Sequence, residues 1–475
     1  MIRAEVKVLC PGRRRKSGGP FRVTRGSGRW VDEEEVDHLL RALEGELPHR
    51  HFGRAVRLEV NGECEADVAQ FLLEQFGLDD ADLQRMDGPV NLHRFSTLHD
   101  QVDRPDLKYP VFTPRVPRRF QPSERIVDAI REGDLLLHHP FESFQPVIDL
   151  LKQSAVDPDV LAIKMTVYRS GATSPITDAL ALAARQGKEV TAVVELRARF
   201  DEAENIDIAH RLQAAGAKVV YGVVGYKAHA KMILIVRREA TGIRRYVHLG
   251  TGNYHPGTTR AYTDWGLMTD APDFGQDVHD LFQQLTGLGK AQTMRKLLQS
   301  PFTLHEALLS KIEAEAVAAG KGKKAFIRAK CNALTEPAII RALYHASQAG
   351  VPIDLVVRGV CNLRPGVRGL SKTIRVRSII GRFLEHTRVF HFCAQETDEV
   401  WLSSADWMPR NLLHRVEAAF PIESGALKQR VLREGLDHYF EDNQQAWELG
   451  PKGEYTRVLR KKHDERLVAQ ERLLD

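Results

Sequence analysis

GYKAHAKMILIV, residues 225–236, sets a histidine and a lysine two positions apart at the mouth of an apolar run. The run reads as a buried strand, in which side chains alternate between faces, so His229 and Lys231 point the same way. The pattern recurs: AHAKMILI is answered by EHTRVFHF at 385–392, and His229-Ala-Lys231 by His386-Thr-Arg388. A lone histidine in an apolar segment is usually structural, and His138 and His139 in LLLHHPF read as packing or supporting residues. The doubling sets His229 and His386 apart. A buried, unpaired cation costs several kcal/mol even after relaxation, so a base beside each histidine points to an anion that shares the site.

The likeness spreads outward from the two histidines. LAIKMTVYR, TSPITDALALAARQGK and EVTAVVELRAR in one half match KAFIRAKCNAL, TEPAIIRALYHASQAG and VPIDLVVRGVC in the other. Each set reads strand, helix, strand. Thr173 or Ser174 and Thr335 are the expected N-caps, Pro175 and Pro337 first-turn residues, and Gly187 and Gly350 the helix ends. Downstream, HLGTGNY matches WLSSADW, aligning Asn253 with Asp406. The fold class is α/β: two similar halves with parallel sheets, meeting about a pseudo-twofold axis with the histidines facing across a cleft.

Arg169, Arg197, Arg199 and Arg358 close predicted strands. Open α/β sheets bind ligands beyond the carboxyl ends of their strands. Several arginines there suit a ligand with several negative charges, because the guanidinium fork fits phosphate. Zinc is excluded by the absence of a second ligand at helical or loop spacing and by the neighbouring cations.

A chain of 475 residues, 43% hydrophobic and 28% charged, is too long for one core, and two to four domains are expected. No window is apolar enough for a transmembrane helix, and no signal-peptide core follows the first charges. Cys10, Cys64, Cys331, Cys361 and Cys393 have no metal-ligand spacing and read as reduced packing residues of a cytoplasmic protein. The net charge of +5 decides nothing, but 358–388 holds eight Lys/Arg against Glu385. That run is either a solvated face or a polyanion-binding wall.

Ahead of the halves, residues 1–19 read as an atypical tail and 20–115 as a partial α+β head domain. PFRVTRG and AVRLEV are its strands. VDEEEVDHLLRALEGEL, with Asp32 and Glu35 in capping-box spacing, and ADVAQFLLEQFG, closed by Gly77, are its helices. DRPDLKYPVFTPRVPRR, 103–119, carries four prolines and reads as a linker. The halves are drawn at 116–296 and 297–475, with a further break expected near 314–324.

HxK followed by GTGN, duplicated, resembles the phospholipase D superfamily, although the aspartate usual five residues after the lysine is here Val236. LLHHPFESF, ELRARFDEAENI, YKAHAKM, LGTGNYH, YTDWGL and FLEHTR with SSADWM resemble bacterial polyphosphate kinases of the histidine-phosphorylating type, from about residue 20 to near the C-terminus. The resemblance implies two tandem phospholipase D-like α/β domains. It implies reversible transfer of the ATP γ-phosphate to the end of a polyphosphate chain through a phosphohistidine, with Mg²⁺. His229 is then the nucleophile, His386 the acid/base and Lys231 a catalytic clamp. Tyr262, Arg358, His386 and Arg415, with Asn253 and Arg388, contact nucleotide and phosphate. Arg169 and Arg199 fall at the family's Mg-nucleotide positions, which arginine, having no lone pair, serves through phosphate oxygens.

The implied partners are ATP, ADP and inorganic polyphosphate, with no nucleic acid. A homo-oligomer is expected of the full-length chain, and peripheral membrane association stays open. The resemblance also implies an N-terminal helical domain and the first part of the head domain. Residues 1–19, unrelated to the family, stand in their place, so a shortened gene product is expected. The alternatives are an inactive or polyphosphate-binding remnant and a phosphodiesterase on the same duplicated fold.

Overall fold

The structure is a computed structural model described over residues 19–26, 53–117, 119–120, 125–168, 174–196, 202–222, 226–287 and 293–474. It divides into Met1–Val111 and Phe112–Asp475, and the division falls inside the proline-bearing stretch 103–119. In the first unit, strand β1 (Phe21–Arg25) runs antiparallel to β2 (Ala55–Asn61), and β2 parallel to β3 (Leu83–Met86). Helix Ala66–Phe76 buries Ala69 and Leu73 and ends at Gly77, whose φ of 62° is costly for any residue with a Cβ. Strand β3, LQRM, has no apolar alternation and was not expected from the sequence. The helix read at VDEEEVDHLLRALEGEL lies outside the described residues.

In the second unit the first half supplies β4 (Leu135–His139), β5 (Val160–Val167), β6 (Glu189–Val194), β7 (Lys218–Val220), β8 (Lys227–Ala228), β9 (Lys231–Glu239), β10 (Gly242–Gly250) and β11 (Tyr262–Thr269). The second half supplies β12 (Leu298–Ser300), β13 (Ile327–Cys331), β14 (Ile353–Val357), β15 (Ile374–Ile379), β16 (Leu384–Glu385), β17 (Val389–Phe392), β18 (Glu399–Ser403), β19 (Arg415–Pro421), β20 (Ala446–Leu449) and β21 (Tyr455–Arg457). Two tandem α/β halves are thus present, but their sheets are mixed, where parallel ones were expected. β5, β6 and β7 run parallel, as do β13, β14 and β15. The motif strands β9 and β17 are antiparallel to β5 and β13. A tight turn between Glu239 and Gly242 folds β9 directly back on β10, which leaves no room for a helical crossover.

The halves exchange strands. The pair β16 docks in parallel on β11 of the first half, and β8 docks in parallel on β19 of the second. They also share a core: Met232, Leu249 and Trp265 pack in one buried cluster with Val389, Leu402 and Phe420. A buried side chain of this size contributes about 1.5–3 kcal/mol, so the shared cluster ties the two halves into one core. Two local expectations are corrected. The break near 314–324 is the end of a continuous helix, Leu304–Gly320, whose Ile312 and Ala316 are core residues. The cap of helix Pro337–Gln348 is Glu336, not Thr335: its carboxylate accepts the Ile339 N–H at 2.6 Å, a stronger acceptor than a hydroxyl. Ser174 caps Pro175–Arg185 as expected, and Thr173 lies outside the described residues.

Candidate active site

Each histidine sits where the chain leaves the other half's sheet and enters its own. His229 lies between β8, paired with β19, and β9. The N–H groups of His229 and Ala230 both donate to the Val416 carbonyl, at 2.9 and 2.8 Å. His386 lies between β16, paired with β11, and β17, and its N–H donates to Thr263 Oγ1 at 3.0 Å. Tyr168, Glu195, Asn332 and Arg358 follow β5, β6, β13 and β14 directly, so the site lies at the carboxyl ends of the parallel strands.

His229 Nδ1 lies 2.8 Å from Glu417 Oε2, and the side chain is 11% exposed. Glu417 also accepts Asn411 Nδ2 at 2.6 Å and Ser404 Oγ at 2.5 Å. Burial pushes the Glu417 carboxyl up, but His229 and Lys231 outweigh it and the pKa falls to about 2. Burial drives His229 down to about 3 against the pull of Glu417. The pair at neutral pH is therefore a carboxylate and a neutral imidazole. A carboxylate only accepts, so Nδ1 carries the hydrogen and Nε2 carries the lone pair. The Tyr168 ring meets the imidazole edge-on at 5.1 Å. Lys231 donates from Nζ to the His229 carbonyl and lies 5.3 Å from the Tyr168 centroid. Burial, with help from Arg388 and Arg415 and against Glu417, lowers its pKa to about 7.

His386 Nδ1 lies 2.9 Å from both oxygens of Asp264, which also accepts Thr251 Oγ1 at 2.7 Å. Burial lowers the His386 pKa, and Asp264 opposes it. In the aligned repeat Thr251 and Asp264 occupy the places of Ser404 and Glu417. Each imidazole thus takes its carboxylate from the other half. The two clusters are contiguous: Arg388, two residues past His386, donates to the first half's Thr251 carbonyl at 3.2 Å, and both Arg388 and Asp264 act on the Lys231 charge.

The remaining sequence candidates divide by environment. Arg358 donates to the Glu385 carbonyl at 2.8 Å, and burial, with Arg388 nearby, lowers its pKa. Tyr262 stands with its ring 5.5 Å from that of His386. Arg415, half-buried, acts on both His229 and Lys231. Asn253 has its side-chain oxygen buried without a hydrogen-bond partner. Arg388 is buried and already holds Asp406, at 2.7 and 3.2 Å, and the His386 carbonyl at 2.9 Å. Arg169, Arg197 and Arg199 lie outside the described residues. In the basic run 358–388, Arg375 pairs with Asp354 and Arg377 with Glu448, each through two hydrogen bonds, so part of that charge is met by neighbouring acids.

Four residues of the site were not read from the sequence: Asp264, Glu417, Tyr168 and Arg410. Extending the repeat past GTGN and SSAD sets TDW against VEA, each acid two residues after a named contact, Tyr262 or Arg415. Arg410, at the rim, has its pKa lowered by partial burial and by Arg415. Among the described residues no group of three or more His, Cys, Asp or Glu side chains could hold a metal ion. No helix among them is long and apolar enough to cross a membrane.

Three family models match the chain: the polyphosphate kinase middle domain over residues 1–98, C-terminal domain 1 over 125–291 and C-terminal domain 2 over 297–470. The first match includes residues 1–19, against the expectation that they are unrelated to the family. A polyphosphate kinase of Xylella fastidiosa is 54% identical over 475 residues, all of this chain and 68% of that protein. One of Burkholderia ambifaria is 57% identical over 446 residues, 93% of this chain and 65% of that protein. The chain thus spans about two thirds of the length of these relatives. The crystal structure of the Porphyromonas gingivalis polyphosphate kinase superposes with a TM-score of 0.85 at 29% identity, over all of this chain and 69% of that one.

Proposed function

This chain belongs to the polyphosphate kinase family, and from that premise we propose that it transfers the γ-phosphoryl group of ATP to the end of an inorganic polyphosphate chain, reversibly, with His229 as carrier. The observation that carries the reading is the His229–Glu417 pair: a neutral imidazole, oriented through Nδ1, with its Nε2 lone pair among cations.

Phosphoryl transfer passes through a loose state with charge spread over three oxygens, so the protein's task is positioning and neutralisation. His229 Nε2 forms a bond to the γ-phosphorus as the bond to the β,γ-bridging oxygen breaks, and ADP departs. A terminal oxygen of polyphosphate then attacks the phosphorus, the N–P bond breaks, and the imidazole returns neutral. A covalent carrier splits one reaction between two polyanions into two steps. Glu417 stabilises the positive charge that grows on the ring. Lys231, Arg358 and Arg415 face the transferring oxygens. His386, oriented by Asp264, holds or passes a proton at the attacking or leaving oxygen, a role typically worth about 10²–10⁴ in rate. Mg²⁺ enters as part of the nucleotide substrate, and among the described residues no group of His, Cys, Asp or Glu side chains could cage it. Supply of ATP and Mg²⁺ makes the cytoplasm the place of action.

The test is labelling. With γ-labelled ATP and Mg²⁺ the chain acquires acid-labile phosphate, and His229→Ala does not. Retained labelling in that variant refutes the nucleophile. His386→Ala keeps nucleotide binding near normal and slows turnover.

A further inference from the structure

The two halves are not chemically equal behind their histidines. Met165 pairs with Ile233 and Ala329 with Phe390, so with His229 aligned to His386 the residue Lys330 stands where the first half has Thr166. One strand over, Val167 pairs with Val194 and Cys331 with Val357, so Arg358 stands where the first half has Glu195. Directly before the histidines, Glu385 stands for Ala228. In the first half the Glu195 carboxylate accepts the Ala228 N–H at 2.9 Å. In the second, the Arg358 guanidinium donates to the Glu385 carbonyl at 2.8 Å. The acid of the first repeat, Glu195, is thus replaced by a base, Arg358, and the neutral Ala228 by an acid, Glu385.

The second half adds a buried ion pair. Lys330 Nζ lies 2.6 Å from Glu385 Oε2 and 3.4 Å from the Tyr439 centroid; Lys330 is 1% exposed and Glu385 2%. Glu385 Oε2 also accepts Thr263 Oγ1 at 2.9 Å, and that hydroxyl oxygen accepts the His386 N–H at 3.0 Å. Glu385 Oε1 accepts Gln470 Nε2 at 2.5 Å, and Gln470 in turn binds the Phe383 N–H at 2.8 Å. Two buried charges are expensive to desolvate, and apolar residues of similar size are often as stable or more so. The first half has the same strands and does without the pair.

We propose that Glu385, held by Lys330, is a positioning residue for His386 and Arg358: it fixes the main chain of the second histidine through Thr263 and anchors the arginine through its own carbonyl. The inference rests on the phosphotransfer reading above. It explains how a duplicated chain gives its two imidazoles different work. His229 is held by Glu417 and the Val416 carbonyl, whereas His386 is held by Asp264 and, through Thr263, by the buried Glu385–Lys330 pair.

The test uses Glu385→Gln, which keeps the shape and removes the charge, and Thr263→Val, which cuts the link to His386 and leaves both charges of the Lys330–Glu385 pair in place. Each should lower kcat on the order of 10–10², the scale on which a misplacement of about 1 Å acts, and leave the nucleotide KM near the wild-type value. The double variant should be little worse than either single one, because both cut the same chain. The His386 ring resonances in NMR spectra should shift in both. Unchanged kcat, a rise in KM alone, or fully additive losses overturns the proposal. If Glu385→Gln fails to fold, Thr263→Val decides. The two readings fail separately: a wild type that never labels sinks phosphotransfer, whereas His386 resonances that both variants leave in place sink the positioning role.

Discussion

His229 of the first half and Glu417 of the second are joined across the repeat boundary, Nδ1 to Oε2 at 2.8 Å. The mirror relationship joins His386 to Asp264, so neither half holds a complete site. Glu417→Gln tests the first link. The amide can donate as well as accept, which removes the fixed preference for hydrogen on Nδ1. The rate of phosphoprotein formation should fall on the order of 10²–10⁴, as in hydrolases whose orienting carboxylate is lost. The same change removes the charge that supports Lys231, so the lysine pKa should fall further. A loss of less than about threefold would contradict the assigned role of the pair.

Gly252→Ala tests the second link by steric means. A Cβ there would stand 2.0 Å from Asp264 Oδ2, and Asp264 is buried and bonded to Thr251 and His386. The carboxylate has nowhere to withdraw without releasing the imidazole. Steady-state turnover should drop by about 10² or more, while Gly320→Ala, with nothing within 4 Å of its added carbon, leaves it unchanged. Equal activity of the two variants would remove Asp264 from the site.

What the sequence disclosed and what it hid have different physical origins. The histidines and Lys231 were legible because duplication compares each position with itself, Arg358 because it closes a strand, and Arg415 only through the family resemblance. Asp264 and Glu417 were missed because each acts on the histidine of the other half, and strand periodicity says nothing about partners across an interface. The mixed sheets were missed for a similar reason. Alternating strands and helices describe β5 to β7 well, but β9 and β10 are joined by a tight turn that the apolar run masks. Glu336 displaced Thr335 as cap because two adjacent acceptors compete, and spacing cannot rank them.

Acid should destabilise the fold through this site. Glu417 falls to about 2 from 4.5 and Asp406, paired with Arg388, lies well below its usual value. Depressed carboxyls stabilise the fold above their unfolded values and lose that contribution as the pH drops toward the folded ones. His229, at about 3 against 6.5, acts in the same direction, since the unfolded chain takes up its proton first. The melting temperature should therefore decline from about pH 6.5 down to about pH 3, and Arg388→Met should unfold earlier at every pH, because it leaves Asp406 buried and unpaired at a cost of about 3–5 kcal/mol. A melting temperature independent of pH over that range would contradict the buried carboxylates.

Lys231 extends the same trend in stability to the alkaline side. Its pKa of about 7 in the free site means that about half the ammonium is neutral at neutral pH. The unfolded chain binds that proton up to about 10.5, so this group's contribution to stability rises between about pH 7 and 10.5. Function runs the other way, because only the ammonium can face a phosphoryl oxygen. The profile of kcat/KM, which reports the free enzyme, should fall above about pH 7. A bound polyanion supplies the missing negative charge and raises the lysine pKa, so the falling limb of kcat should lie at higher pH than that of kcat/KM. Lys231→Arg keeps its charge at every pH in the range, and its kcat/KM should lose the falling limb even where the maximal rate is lower. Measuring both profiles for the two proteins separates the lysine from any other titrating group: an alkaline limb that persists unchanged in Lys231→Arg assigns it elsewhere and removes Lys231 from the transition state.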